Sequence, residues 1–130
     1  MEQLNNPVVL VVEDDPPVRE LLQDVLQDEG YEVVAAHDGA MALQIVSSLK
    51  VDLITLDLDM PGLTGSELIM VLRKRKIMMP PVVVVTGQIP VKRAVKQIAQ
   101  AVITKPFDID EFVGAVLDLL PRQLPRAEAR

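Results

Sequence analysis

Residues 8–17 read VVLVVEDDPP, and this stretch predicts both a strand and the beginning of a helix. Five consecutive apolar residues, 8–12, are typical of a strand that is buried on both faces of a parallel sheet. Asp15 followed by Pro16 is typical of a helix N-cap with a proline in the first turn. The stretch therefore predicts a buried strand that leads directly into a helix.

The same order of strand and helix repeats along the rest of the chain. The predicted strands cover residues 8–12, 31–36, 53–56, 82–85 and 101–103. The predicted helices begin near Pro16, Asp38, Ser66 and Pro90, and a fifth helix ends at Pro121. Alternating strands and helices predict an α/β fold in which helices cover both faces of a five-stranded parallel sheet. The simplest strand order is the flavodoxin-like 2-1-3-4-5.

The composition narrows the class of protein. The chain has 130 residues, a formal net charge of −6, few aromatic residues and no cysteine. This length fits one domain, and without cysteine there are no disulfides, thiolate nucleophiles or zinc–thiolate sites. The acidic charge and the few aromatic rings argue against direct nucleic-acid binding. The apolar runs are far shorter than the ~20 residues that span a bilayer, so we expect a cytoplasmic protein without a membrane partner.

The domain is expected to cover residues 7–121, followed by a polar tail or the beginning of a linker at 122–130. The basic run 73–76 closes a predicted helix, where cations complement the helix dipole, and we prefer this interpretation to a binding motif. The only histidine, His37, is expected in a surface loop.

Polar side chains follow every predicted strand except the second. They are Glu13 and Asp14, then Asp57 and Asp59, then Thr86, and finally Lys105. The first and third strands are neighbours in the proposed order, so the carboxylates of Glu13, Asp14 and Asp57 should converge at the carboxyl edge of the sheet. Carboxylates about 4 Å apart repel by roughly 4 kcal/mol at an effective dielectric constant of 20. Such a cluster therefore needs a cation, and its oxygen ligands suit Mg²⁺.

These residue types fit phosphoryl transfer. A carboxylate beside Mg²⁺ can attack phosphorus and form an acyl phosphate. The transferred group spreads negative charge over its oxygens, and an ammonium and a hydroxyl would neutralise and orient that charge. Lys105 and Thr86 supply these groups at the same edge. Each residue alone has an ordinary structural explanation, so the prediction rests on their coincidence.

Four motifs in the correct order resemble the receiver domains of two-component response regulators. They are VVEDD at 11–15, LD at 56–57 with MPG at 60–62 and Gly65, TG at 86–87, and KPF at 105–107. The resemblance covers about residues 7–120. It implies phosphorylation on aspartate by a sensor histidine kinase or a phosphotransfer protein, without turnover as an enzyme. It also implies a downstream protein or an attached output domain as target, and it leaves homodimer formation open.

The resemblance implies a role for each residue of the edge. Asp57 resembles the phosphoacceptor, and Glu13 and Asp14 resemble the acid pair, with Asp14 as the more direct Mg²⁺ ligand. Lys105 resembles the phosphoryl-binding lysine, which a cis peptide bond usually joins to proline. Thr86 resembles the switch hydroxyl that moves toward the phosphoryl group.

Asp59 occupies a position that varies in the family and adjusts the lifetime of the phosphoryl group. The resemblance implies that its backbone carbonyl completes the metal shell. Its side chain supports two opposed hypotheses: the charge repels phosphodonors and slows phosphorylation, or it orients a water and speeds hydrolysis. Rates of acyl-phosphate formation and decay in Asp59→Asn would separate the two.

Two features depart from the family pattern. Val102 stands where the family usually carries the aromatic residue that moves with the switch threonine. The stretch from Thr86 to Lys105 is about one helical turn shorter than usual, and the Gly-Ala before the fifth strand is missing. We therefore expect a shortened or repositioned fourth helix.

Three other interpretations are weighed against this one. Asp57 and Asp59 form an Asp-x-Asp pair, as in haloacid-dehalogenase-like phosphatases, although there the pair follows the first strand. An FMN carrier would need a phosphate-binding loop after the first strand, where this chain is acidic. A receiver fold could also act as a phosphorylation-independent binding module. The retained site residues argue against this alternative, and the altered switch region keeps it open.

Overall fold

Five strands alternate with five helices in the computed structural model, which describes residues 6–75 and 78–121. The strands are β1 (Val8–Val12), β2 (Glu32–Ala36), β3 (Leu53–Leu56), β4 (Val82–Thr86) and β5 (Ala101–Thr104). The helices are α1 (Pro16–Asp28), α2 (Gly39–Ser48), α3 (Gly65–Lys74), α4 (Arg93–Ile98) and α5 (Ile109–Leu119). The predicted tail 122–130 and Lys76 of the basic run lie outside the described residues.

The strands form one parallel sheet in the order β2-β1-β3-β4-β5, which confirms the predicted order. Thr55 of β3 lies between Val11 of β1 and Val83 of β4, so the three central strands are in register. The residues of β3 and β4 are all buried, and so are those of β1 after the half-buried Val8. Parallel pairing in this register brings the carboxyl ends of these strands to one edge of the sheet.

Helices cover both faces of the sheet, as predicted. Helices α1 and α5 pack on one face through Leu22 and Phe112, against strand residues such as Val11. Helices α2, α3 and α4 pack on the other face through residues such as Leu68, against Leu56 and its neighbours. Alternate residues of each central strand therefore enter two separate apolar layers. No helix among the described residues has the length and apolarity needed to cross a membrane.

The helix N-termini show how local sequence sets the element boundaries. The Thr64 hydroxyl accepts the Glu67 N–H and the Glu67 carboxylate accepts the Thr64 N–H, so α3 begins at Gly65, one residue before the prediction. Asp38 caps α2 through the Met41 N–H. Asp15 is the N-cap of α1 and Pro16 its first residue, as predicted, although the Asp15 side chain makes no capping hydrogen bond.

Helix α4 has only six residues, Arg93–Ile98, which confirms the predicted shortening. The prediction that Pro90 opens this helix is wrong, because Lys92, in an extended conformation, is the N-cap and the helix begins at Arg93. The Gln88 N–H donates to the Thr86 hydroxyl instead of entering a helical turn. The connection from β4 to α4 is therefore a non-helical loop.

Candidate functional site

Three carboxylates converge at the edge where β1 and β3 end, as the sequence predicted. Glu13 and Asp14 follow β1 directly, Asp57 follows β3, and each offers an oxygen within 4.8 Å of the others. The Asp57 N–H donates to the Val12 carbonyl at 3.0 Å, so the strand pairing itself fixes the backbone of the aspartate. Glu13 and Asp57 are only 1% and 5% exposed, and Asp14 is half-buried.

The side chain of Lys105 joins the two most buried carboxylates. Its Nζ lies 2.8 Å from Glu13 Oε1 and 3.3 Å from Asp57 Oδ2. Lys105 directly follows β5. Burying carboxylates is costly unless they are paired and hydrogen-bonded, and this ammonium provides the pairing. The peptide bond from Lys105 to Pro106 is cis, as the resemblance implied.

Burial and the neighbouring charges shift the protonation equilibria of this pair. Burial raises the pKa of Glu13 to about 7, and the nearby Asp57 charge adds to the rise, although the bond from Lys105 opposes it. Desolvation lowers the pKa of Lys105, but the bonds and charges of Glu13 and Asp57 outweigh it and raise this pKa above its usual value. The ammonium therefore stays charged at neutral pH, beside a carboxyl that titrates near neutrality.

Both oxygens of Asp57 have defined partners. Oδ2 faces the Lys105 ammonium, and Oδ1 accepts the Asp59 N–H at 3.1 Å. The Asp59 side chain is exposed. This geometry does not distinguish the two hypotheses for the Asp59 carboxylate. The role of the Asp59 carbonyl as a metal ligand also stays a prediction.

Two contacts of the site were not predicted from the sequence, although Gly65 belongs to one of the four motifs. Nη1 of Arg19 donates to the carbonyl oxygens of Glu13 at 3.0 Å and Asp14 at 3.4 Å. Gly65 begins α3 so close to β3 that an added Cβ would collide with the Asp57 carbonyl and come within 2.9 Å of Leu58 Cα. The Thr-x-x-Glu pattern around Gly65 could have indicated the helix start. No comparable sequence pattern indicates that the Arg19 side chain bonds to the carbonyls of Glu13 and Asp14.

The described side-chain hydrogen bonds do not link Thr86 or Val102 to the carboxylate cluster. Thr86 is buried at the end of β4, and its hydroxyl accepts the Gln88 N–H at 3.0 Å. Val102 on β5 is 38% exposed. Thr86 therefore lies at the expected edge, and the position that usually holds the aromatic residue carries a partly exposed valine.

The sequence matches the family model described as response regulator receiver domain over residues 9–117. The chain belongs to this family. Sporulation initiation phosphotransferase F of Bacillus subtilis is 35% identical over 121 residues, which cover 89% of this chain and 95% of that relative. Response regulator MprA of Mycobacterium avium is 36% identical over 93% of this chain and 54% of its own length. The receiver domain thus spans about half of MprA, and it spans 28% of transcriptional regulatory protein GlrR of Escherichia coli.

Solved structures agree with this assignment. Response regulator protein TrrA of Thermotoga maritima, in complex with Mg²⁺-BeF, is 36% identical with a TM-score of 0.79, covering 88% of this chain and 99% of that chain. The receiver domain of Francisella response regulator 1452 is 31% identical with a TM-score of 0.80, covering 88% and 97%. Family membership removes the phosphatase and FMN-carrier interpretations of this receiver domain.

Proposed function

We propose that this receiver domain accepts a phosphoryl group on Asp57 in a Mg²⁺-dependent reaction. The donor is the phosphohistidine of a sensor histidine kinase or a phosphotransfer protein. The observation that carries the proposal is the Lys105 ammonium, which contacts Asp57 and Glu13 where Asp14 adds a third carboxylate. Three carboxylates against one ammonium leave an excess of negative charge, which suits a divalent cation with oxygen ligands.

The chain's own groups define the transfer step. An Asp57 carboxylate oxygen attacks phosphorus and forms an O–P bond, while the P–N bond breaks and its electron pair returns to the imidazole nitrogen of the donor. The Asp59 N–H and the Lys105 ammonium hold the two Asp57 oxygens before the attack. Lys105 can then donate to a phosphoryl oxygen, and Glu13 Oε1 holds the ammonium in place at 2.8 Å.

The acidic residues would hold the metal. Asp14, Asp57 and the Asp59 carbonyl would bind Mg²⁺ beside Glu13. The metal would supply positive charge to the phosphoryl oxygens. The structure of TrrA with Mg²⁺-BeF supports this assignment by similarity. Each molecule would accept one phosphoryl group on its own Asp57, so the protein would not act as an enzyme with multiple turnovers.

The output of this receiver domain would be a shift between two populated conformations that a downstream protein or an attached output domain distinguishes. Thr86, at the end of β4, would be the residue that responds to the phosphoryl group. The six-residue α4 and the valine at position 102 also favour a second candidate function, a binding module that works without phosphorylation. Either function is compatible with a monomer or a homodimer.

Intact-mass spectrometry after incubation with acetyl phosphate tests the proposal. We expect one added phosphoryl group in the presence of Mg²⁺, and none without Mg²⁺ or in Asp57→Asn. Asp59→Asn is the matched control, since it removes the neighbouring carboxylate and keeps the acceptor, and it also reports on phosphoryl lifetime. If the parent neither gains a phosphoryl group nor binds Mg²⁺-beryllofluoride, the phosphorylation-independent module is favoured. If it binds Mg²⁺-beryllofluoride without gaining a phosphoryl group, the acyl phosphate is too short-lived to trap.

A further inference from the structure

Arg19 is the one residue of α1 whose described side-chain bonds reach back to the loop after β1. Its half-buried guanidinium donates through Nη1 to the carbonyl oxygens of Glu13 and Asp14, at 3.0 and 3.4 Å. These two carbonyls flank Asp14, so the bonds restrain its backbone on both sides. Because the guanidinium contacts backbone oxygens, it brings positive charge to the acidic loop without bonding to a carboxylate oxygen of Glu13 or Asp14.

The peptide unit between Asp14 and Asp15 is held at both ends. Its carbonyl oxygen accepts from Arg19, and its N–H donates to Glu13 Oε2 at 3.2 Å. The unit is planar, so fixing the oxygen also fixes the direction of the N–H. A charged donor at the oxygen polarises the unit and strengthens the N–H as a donor, because hydrogen bonds in a chain reinforce one another.

The same carboxylate continues the connection toward Asp57. Glu13 Oε2 accepts the Asp15 N–H, and Oε1 accepts the Lys105 ammonium at 2.8 Å. Lys105 in turn reaches Asp57 Oδ2 at 3.3 Å. A continuous series of hydrogen bonds therefore runs from the guanidinium to the phosphoacceptor, through one peptide unit and two side chains.

We propose that Arg19 is a positioning residue of the phosphoacceptor site, which orients Glu13 and Lys105 through the Asp14–Asp15 peptide and directs the Asp14 carboxylate toward Asp57. The inference rests on the proposed function of the site. Without the guanidinium, the loop gains freedom and the Glu13 carboxylate loses a fixed donor.

Arg19→Met tests the inference, because it keeps an apolar stem and removes the guanidinium. Arg19→Lys keeps the charge, and Arg73→Met, on the exposed end of α3, is the matched control. We expect about tenfold weaker Mg²⁺ binding and a similarly slower phosphorylation by acetyl phosphate in Arg19→Met, as for other residues that orient metal ligands. Arg19→Lys should recover part of both, and Arg73→Met should match the parent.

The Asp15 amide resonance, recorded by NMR without metal, separates this inference from the proposed function. We expect it to move upfield in Arg19→Met as its bond to Glu13 weakens, and to stay in place in Arg73→Met. If the parent neither binds Mg²⁺ nor gains a phosphoryl group, the proposed function fails, and the amide alone still decides the role of Arg19.

Two results would overturn the inference. One is an unmoved Asp15 amide, and the other is parent-like Mg²⁺ affinity in a variant whose Asp15 amide has moved. Thermal unfolding midpoints identify any variant that has lost the fold. Should Arg19→Met not fold, Arg19→Lys decides: reduced Mg²⁺ affinity with a shifted Asp15 amide supports the inference, and parent-like values for both overturn it.

Discussion

The edge formed by the ends of β1, β3 and β5 is fixed differently from the connection between β4 and α4. At the edge, Glu13 and Asp57 are buried, and each is bonded to Lys105. In the connection, Ile89 is 70% exposed and the backbone makes no helix before Arg93. Strand register therefore determines where the side chains of the proposed reaction lie. The conformation of the region that would respond to phosphorylation depends instead on a short surface segment.

This difference explains how one half of the site can match the family while the other departs from it. A shorter segment between Thr86 and Lys105 changes α4, yet the pairing of Thr86 with Thr104 still brings Lys105 to the edge. The Lys105 N–H donates to the Thr86 carbonyl at 2.9 Å, which extends that pairing by one residue. We therefore expect that changes in the connection between β4 and α4 leave the proposed chemistry at the edge unaffected.

The largest expected effect on stability comes from Glu13. Its pKa rises from the ordinary 4.5 to about 7 in the folded protein, chiefly through burial. Its contribution to stability is therefore complete below pH 4.5 and is lost as the pH rises through about 7, because the unfolded chain releases this proton first. At about 1.4 kcal/mol per pH unit, the loss amounts to roughly 3 kcal/mol.

Glu13→Gln cannot titrate at this position, so its free energy of unfolding should rise relative to that of the parent between pH 4.5 and pH 7. Urea unfolding in the absence of Mg²⁺ measures both proteins across this range. Lys105 stays charged throughout, because its pKa is raised. A constant difference between the two proteins would mean that burial does not raise the pKa of Glu13, and the edge would lose its distinction from the exposed connection.

A smaller effect is expected at Gly65, where α3 meets the Asp57 backbone. An alanine methyl group would collide with the Asp57 carbonyl, and the rigid strand cannot yield as a flexible side chain would. We expect Gly65→Ala to lower the free energy of unfolding by about 2 kcal/mol, in the range typical of overpacked sites. Phosphorylation by acetyl phosphate should slow as well, because the displaced backbone carries the acceptor.

Gly114→Ala is the matched control for Gly65→Ala. Gly114 lies within α5, and a Cβ there would meet nothing within 4 Å. Alanine should therefore stabilise the helix by about 0.5–1 kcal/mol, as in other helix interiors. Equal effects at the two glycines would show that helix propensity, and not the close approach to Asp57, sets the requirement for glycine at position 65.

The sequence predicted the buried strands and the convergence of Glu13, Asp14 and Asp57, because both follow from apolar runs and from the geometry of parallel strands. It did not predict the contacts of Arg19 or Gly65, because these depend on how α1 and α3 lie against the sheet. Such packing angles arise from the whole core and leave no local pattern.

The start of α4 illustrates a second limit of sequence analysis. Pro90 matched the pattern of a proline in a first helical turn, but that pattern gives only a local preference. In the structure the preceding residues form a turn in which the Gln88 N–H bonds to Thr86, and the helix begins three residues after Pro90, at Arg93. A local preference decides a boundary only where the neighbouring contacts do not compete with it.

The smallest expected effect is that of Val102→Tyr, which restores an aromatic residue at the switch position. Because position 102 is 38% exposed, the change should alter the free energy of unfolding by less than about 0.5 kcal/mol. The rate of phosphorylation by acetyl phosphate should change by less than about twofold, since a tenfold change needs about 1.4 kcal/mol. Thr104→Tyr is the matched control, because Thr104 is exposed on the same face of β5.

The readout of interest is the set of amide resonances around Thr86 and α4 before and after beryllofluoride binding. If the chemistry and the response are separable, Val102→Tyr should enlarge the changes in this region relative to the parent and to Thr104→Tyr, with phosphorylation rates unchanged. A large change in phosphorylation rate in Val102→Tyr alone would break the separation. It would mean that position 102, which pairs with Val84, couples to Lys105 three residues later, and that this edge strand serves both parts of the domain.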